Sequence, residues 1–400
     1  MEKTMTDARK VNTFGGSSSS EVSHQWFARP ADQKFLSLST LREFKAKEYS
    51  ESLTTICPSK KIEVLAPEPT DKASLRALSF GLPNGDEVNS THWAFGQLCS
   101  LAKAPASYLR ELPSQIVADN LSYGLRHLRE VEDVKVYSRK NGEHTLRAVT
   151  GPDYGRVPDY EVVQALQGIA GNGNGDTRWK VPGTLDWSTG VYDPNTPVSL
   201  DTTTLYASDR DLFCFLVDDR NPVQVGTFTD PRTGKEEPDL LFRGFYVTNS
   251  EVGKGALKIV GFYLRAVCCN RILWGVEHRE EINIRHSKGA PERFVDQAQP
   301  ALLAYAEGSA KGLIEGVQKA KAAKVASDDD EAIEFLKNRG LSKQRARKVL
   351  DICEVEEGHK PRSAWDIAQG ITALARSIPN TDDRLDLEVV AGKVLDKAAA

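Results

Sequence analysis

The chain contains no uninterrupted apolar run of about 18 residues, so its sequence predicts no membrane-spanning helix. The opening MEKTMTDARK carries charge without an apolar segment behind it, which argues against a secretory leader. Six cysteines are present, Cys57, Cys99, Cys214, Cys268, Cys269 and Cys353, and none has Cys-x-x-Cys spacing. Most sit in apolar surroundings, so they are expected to be reduced thiols of a cytoplasmic protein. The adjacent Cys268 and Cys269 read as two small buried side chains before they read as a redox pair. No HExxH, His-x-His or paired-Asp spacing occurs, and the glycine-rich tract at 171–176 has no strand before it and no Lys-Ser/Thr after it. No metal and no cofactor is therefore expected. The formal net charge is only −4, so attraction to a polyanion cannot come from the chain as a whole and must come from a local patch.

What is present is an ordinary globular composition, 40% apolar and 27% charged over 400 residues, sufficient for a core without disulfides or metal. Residues 1–24, with the run GGSSSS, read as a disordered tail. Residues 25–289 alternate helical and strand patterns, and 290–400 are alanine-rich and helical throughout. The expected fold is α+β, an antiparallel sheet core with packed helices and an all-α C-terminal region.

Within the core, a helix is expected from 39 or 40 to 52, strands at 60–66 and 75–80, and a helical cluster over 91–131. The strongest hairpin signal is 134–139 and 143–149 about Asn141-Gly142, which predicts a type I′ turn. A loop, TGPDYGR, follows it, and then a helix at 159–170. The tract at 171–176 reads as a flexible excursion, and 179–204, with Trp187, as a long ordered loop. A buried strand at 212–217 is expected to turn at 218–222, with a surface loop at 229–239 and a further strand at 280–286.

The most apolar and aromatic stretch is 240–275, read as a strand (240–248), a glycine-containing turn (249–255) and a second strand that continues toward a helix. Between 232 and 293 the chain holds 11 Lys/Arg against 8 Asp/Glu, against the sign of the total. Arg243, Lys254, Lys258, Arg265 and Arg271 lie on or beside this hairpin, interleaved with Tyr246 and other aromatics. Cations that track phosphates and rings that stack bases are what single-stranded nucleic acid requires. The competing reading makes the rings core and the cations an ordinary solvated face. Alternation puts Phe242, Gly244 and Tyr246 on one face of the strand and Arg243, Phe245 and Val247 on the other.

Several stretches carry a family resemblance: QWFARPADQKFLSL (25–38), THWAFGQLCSLAKAPASYLREL (91–112), LRAVTGPDYGR (146–156), RGFYVTNSEVG (243–253), RAVCCNRILWG (265–275), and the tail from 365 to 378 with NTDDR after it. In collinear order these resemble the phage/plasmid-like proteins grouped as domain-of-unknown-function family 932. The resemblance implies the company of prophages and plasmids, hence DNA metabolism or host–element conflict, and no particular reaction.

The leading expectation is a non-catalytic nucleic-acid-binding protein of mobile elements that acts on single-stranded DNA in recombination or replication. Arg243, Lys254, Lys258, Arg265 and Arg271 would meet phosphates; Tyr246, Tyr154 or Trp187 would stack bases; and Arg156 stands with Tyr154 in the loop. The alternatives are an enzyme with a polar cleft around Asp153, Tyr154, Asn249, Arg265 and Asn270, and a protein-binding module in host–element conflict. The C-terminal helices could join copies into a homo-oligomer.

Overall fold

The computed structural model describes residues 29–68, 70, 77–127, 133–182, 197–231, 233–265, 271–272, 282–378 and 381–399. The first half contains β1 (Lys34–Phe35), α1 (Leu38–Ser50), β2 (Ser52–Pro58), β3 (Glu63–Leu65), β4 (Ser79–Gly81), β5 (Glu87–Ser90), α2 (His92–Leu101), α3 (Ala106–Leu109), α4 (Ser114–His127), β6 (Asp133–Asn141), β7 (Glu143–Thr150) and α5 (Asp159–Ala170). Then come β8 (Leu205–Ala207), β9 (Leu212–Thr229), β10 (Glu236–Asn249), β11 (Leu257–Arg265), β12 (Arg271–Ile272) and β13 (Ile282–Ile284). The remainder is helical: α6 (Ala290–Glu307), α7 (Lys311–Ala322), α8 (Asp329–Lys337), α9 (Lys343–Glu357), α10 (Ala364–Arg376) and α11 (Thr381–Ala399). The protein is α+β. Among the described residues no helix is long and apolar enough to cross a membrane.

Two sheets organise these elements. One runs β1-β8-β9-β10-β11-β12, with β13 also paired to β11; the other runs β2-β6-β7-β5-β4-β3. Every pairing is antiparallel except β5 with β7. Local chemistry starts the helices: Ser37 accepts from the Thr40 amide at the head of α1 and Thr91 from the Ala94 amide at α2, each satisfying an otherwise orphaned donor.

The 240–248 stretch is a strand as expected, and its alternation holds, but both faces are buried. Phe242 and Tyr246 pack with Phe213, Phe215 and Phe262 on one side. Phe245 and Val247 pack with Trp179 and the helices α1 and α5 on the other. Gly244 is required here, because a Cβ would sit 2.3 Å from the Phe262 ring. The C-terminal helices close on the far ends of the same strands: Val223, Val225, Leu241 and Tyr263 share a core with Leu313, Val349, Trp365 and Ile371.

Several local expectations are overturned. The Asp218–Pro222 stretch is not a hairpin turn but lies within β9, where residues 219–222 bulge out of the ladder between the pairs Asp218–Arg243 and Val223–Leu241. The turn-forming residues are thus accommodated as a bulge opposite the Leu241/Arg243 register shift, with a second shift at Pro238/Leu240, while the pairing on either side keeps β9 one strand. The loop expected at 229–239 accordingly shrinks to the hairpin tip. The helix expected to end at about Ser52 ends at Ser50, and Ser52–Pro58, for which the sequence predicts no element beyond Ser52, is a strand. Only Gly142 in the Asn-Gly hairpin has positive φ (95°), with Asn141 paired directly to Glu143, so the turn is not type I′. The tract from Gly171 is an ordered turn in which Asn174 bridges to Lys180, with Gly171, Gly173 and Gly175 at positive φ. Trp179 lies outside the helices and strands, as expected of the start of an ordered loop, and its ring is part of the core. Cys57, Cys99, Cys214 and Cys353 are free and buried; Cys268 and Cys269 lie outside the described residues.

A charged clamp ties the helical region to the sheet. The buried Asp239 of β10 accepts from Arg265 Nε at 2.7 Å and from Lys321 Nζ at 2.8 Å, while Arg265 Nη1 reaches Glu357 of α9. Burial pushes the Asp239 carboxyl up, but Arg265 and Lys321 outweigh it and hold it below the usual carboxylate range. Removing one partner of such a cluster strands the others in low dielectric. Asp239→Ala is therefore expected to cost about 3–5 kcal/mol in chemical unfolding. A loss below about 1 kcal/mol, the value of an exposed pair, would show that the clamp is not desolvated.

Candidate functional site

The two sheets meet at a buried network of charge. Lys45 of α1 donates to Glu48 at 2.9 Å and to the Ser208 carbonyl at 3.2 Å, and lies 3.0 Å from Asp159 at the head of α5. Asp159 also accepts from Asn249 Nδ2 at 2.8 Å. Glu251, in the turn after β10, accepts from the Asp159 amide at 2.8 Å and the Tyr137 hydroxyl at 3.1 Å, with Arg147 Nη1 at 3.5 Å. Arg139 pairs with Glu48. The network thus joins β6 and β7 of one sheet to the β10 turn of the other through α1 and α5.

A cleft of about 320 Å³ opens beside it. Its floor is the strand pairing itself. Tyr137 lies between Thr54 and Ala148 in one row, and Lys135 stands against Thr150 in the next. Its walls are Tyr154, Gly155, Arg156 and Pro158 from the loop after β7, Glu161 from α5, Tyr49 from α1, and Glu251. The Arg156 guanidinium lies 3.8 Å from the centre of the Tyr137 ring and 5.9 Å from that of Tyr49. Its Nη1 is buried without a hydrogen-bond partner. Lys135 Nζ donates to the Tyr154 carbonyl at 2.9 Å rather than to a carboxylate. The Tyr154 hydroxyl donates to the Ser250 carbonyl at 2.9 Å, and its ring stacks on His286.

Burial raises the Tyr154 hydroxyl above its ordinary pKa and lowers that of His286. Asp159 is pushed up, by burial first and by the Glu251 charge, against the pull of Lys45. Glu48 goes the other way: burial opposes its charge, yet Lys45, Arg147 and Arg139 bring it down to about 2.

Of the residues expected to bind nucleic acid, only Tyr154 and Arg156 are brought together at this cleft. Arg265 is 1% exposed and committed to the clamp, and Tyr246 is 4% exposed inside the aromatic core, so neither can meet a phosphate or a base. Both are corrections with one cause: this sheet is covered on both faces. Arg243 donates to the Gly308 carbonyl and, at 3.4 Å, to the Tyr263 hydroxyl. Lys254 lies 3.8 Å from Asp211, which Arg29 also grips. Lys258 is half-buried on β11. The hairpin cations do not form one wall. Trp187, Asn270 and the side chain of Arg271 lie outside the described residues.

The cleft proposed around Asp153, Tyr154, Asn249, Arg265 and Asn270 is not assembled as such. Tyr154 lines the cleft, Asn249 is buried in the network, Asp153 is exposed, and Arg265 lines a different cavity. Four cleft residues went unforeseen: Tyr49, Lys135, Tyr137 and Glu161. Alternation in the 134–139 strand was the available signal for two of them, since Lys135 and Tyr137 occupy the face opposite Val134 and Val136. Among the described residues no metal-binding cluster occurs. Ser138, His144 and Asp86 lie in a row, with Ser138 Oγ 3.0 Å from His144 and Asp86 3.8 Å from the other ring nitrogen, too far for a hydrogen bond; Ser138 is 2% exposed and presents no nucleophile.

No family model matches the chain, and comparison with curated proteins and with solved structures finds no relative.

Because the Glu48 pKa lies below its ordinary value of 4.5, the stability it contributes is present above that pH and is lost as the pH falls toward 2. In urea unfolding, the gap between the wild type and Glu48→Gln is expected to narrow by on the order of 2 kcal/mol from roughly pH 7 to pH 3. A gap independent of pH would mean that the carboxylate is not held by its three cationic neighbours.

Proposed function

We propose that this protein binds single-stranded nucleic acid, and that contact is made at the Tyr137–Tyr154–Arg156 cleft rather than along the 240–275 hairpin. The observation that carries the reading is Arg156. It is a guanidinium stacked on a tyrosine in an open cleft, with a buried donor unspent and, among the described residues, no carboxylate within ion-pair distance, although Glu161 and Glu251 line the same cleft. Buried donors find acceptors, and a phosphate oxygen is a fitting one. Lys135 adds a second cation without a carboxylate partner. Tyr49, 39% exposed, offers a ring face for a base beside them. The motifs shared with phage/plasmid-like proteins weigh in the same direction, toward DNA transactions of mobile elements in the cytoplasm. Recombination and replication intermediates are the single-stranded forms such elements generate.

One observation favours an enzymatic reading of the same cleft: burial raises the Glu161 carboxyl, which faces the cleft near Arg156. A carboxylate tuned upward is suited to proton transfer. Binding separates the two readings, because a nucleic-acid site needs Arg156 and Lys135 and is strengthened when the neighbouring Glu161 loses its negative charge, whereas proton transfer needs the Glu161 carboxyl itself.

Fluorescence anisotropy with single- and double-stranded oligonucleotides is expected to show preferential binding of the single strand. Affinity should fall steeply between low and moderate salt as counterions are released. Arg156→Ala with Lys135→Ala should weaken binding by roughly tenfold or more, the value of one to two charge-assisted contacts, while Arg243→Ala leaves it unchanged. Affinity that is absent, or flat with salt, overturns the proposal.

A further inference from the structure

The strand β2 ends one side of the six-stranded sheet. It pairs with β6 over seven consecutive residues without a bulge, from Ser52 opposite Arg139 to Pro58 opposite Asp133. Among the described residues no strand pairs with its outer edge. Such an edge offers a row of free backbone donors and acceptors, and proteins ordinarily guard it with charge, proline or a bulge. β2 reads SLTTICP: it holds no charged residue, and its one proline is the last position. Two of its apolar side chains stand in solvent, Leu53 at 48% and Ile56 at 57% exposure.

Charge is placed just beyond its ends instead. Glu51 precedes the strand, and Lys60 and Lys61 follow it, both exposed. Among the described residues none of these three makes an ion pair. Two copies of β2 laid parallel would set acid beside acid and base beside base. Laid antiparallel, the acidic start of each lies beside the basic end of the other.

We propose that the chain forms a two-fold homodimer by antiparallel pairing of β2 with β2 of a second copy, with Thr55 opposite itself at the axis. In that register Thr54 faces Ile56 across the axis, and Leu53 faces Cys57. Both members of each pair project from the same face, as strand alternation demands. Thr54 and Ile56 are on the cleft face: Thr54 pairs with Tyr137 and Ile56 with Lys135, both cleft-lining residues. The sheet therefore continues from one copy into the next. The two clefts open on one common face, with the copy's Ile56 extending the floor beside Thr54. The self-complementary charge at the strand ends makes the contact isologous and closed, which limits assembly to two copies. This inference goes beyond the nucleic-acid reading and does not rest on it.

Sedimentation and light scattering of the full chain test it. The wild type is expected at twice the monomer mass. Ile56→Lys, a change at an exposed side chain, should return it to the monomer mass with an unchanged far-ultraviolet spectrum. Thr55→Cys should give a reductant-sensitive covalent dimer under mild oxidation, since residues directly opposite in an antiparallel pair bring their Cβ atoms to about 4.5–5.5 Å. Should Ile56→Lys alter the fold, the Thr55→Cys cross-link decides alone. A wild type that stays monomeric at every concentration overturns the proposal. So does a dimer that survives Ile56→Lys without cross-linking through Thr55→Cys, as pairing through the C-terminal helices would.

Discussion

The arrangement of this molecule depends on one buried ionic constraint, the placement of the Lys45 ammonium against Asp159 and Glu48. An ammonium out of water is costly unless every proton finds an acceptor. Here the acceptors come from α1 itself, from the start of α5 and from the Ser208 carbonyl. Glu251 and Arg147 extend the network to the second sheet. Burying these groups commits the chain to one relative placement of the two sheets. A register error of a single residue would strand a charge, a far larger penalty than a lost methyl contact. The cleft lies against this network and inherits its rigidity, because Tyr137 and Glu251 belong to both.

The same accounting explains why the rings of the aromatic hairpin are core. A strand with Phe242 and Tyr246 on one side and Phe245 and Val247 on the other can be solvated on neither, and here both sides meet other elements. Its cations must then leave the sheet or be neutralised. Arg265 is neutralised by Asp239 and Glu357 and packs between Phe228 and Trp365, at 5.7 and 5.6 Å from their ring centres. The Arg156 loop is different. It follows a hairpin, and the Arg156 guanidinium lies over the Tyr137 ring without an ion pair to Glu161 or Glu251, the two carboxylates that share its cleft.

Much of this was legible in the residues. The α+β character, the strands at 240–248 and 143–149 and the helix at 159–170 follow from periodicity, which local sequence carries. Tyr154 and Arg156 could be singled out because a loop after a strong hairpin is held in place. The rest depends on contacts distant along the chain. Lys45 and Asp159 are 114 positions apart by numbering, and nothing near either residue announces the other. Asp218-Asp219-Arg220-Asn221-Pro222 carries every mark of a turn yet falls within β9 as a bulge, because β10 pairs with Asp218 on one side of it and with Val223 on the other. Tyr49 and Glu161 reach the cleft only through the packing of α1 beside α5.

The strand β10 carries Asp239 near its start and Asn249 at its end. Those two residues belong to the two charged clusters, one facing the C-terminal helices and the other beside the cleft. At about 3.3 Å per residue, a single length of backbone sets their separation at roughly 30 Å, with β9 and β11 laid along its two sides. The element therefore works as a spacer bar: the charged cluster at the helical end and the one beside the cleft are held at a distance fixed by strand pitch.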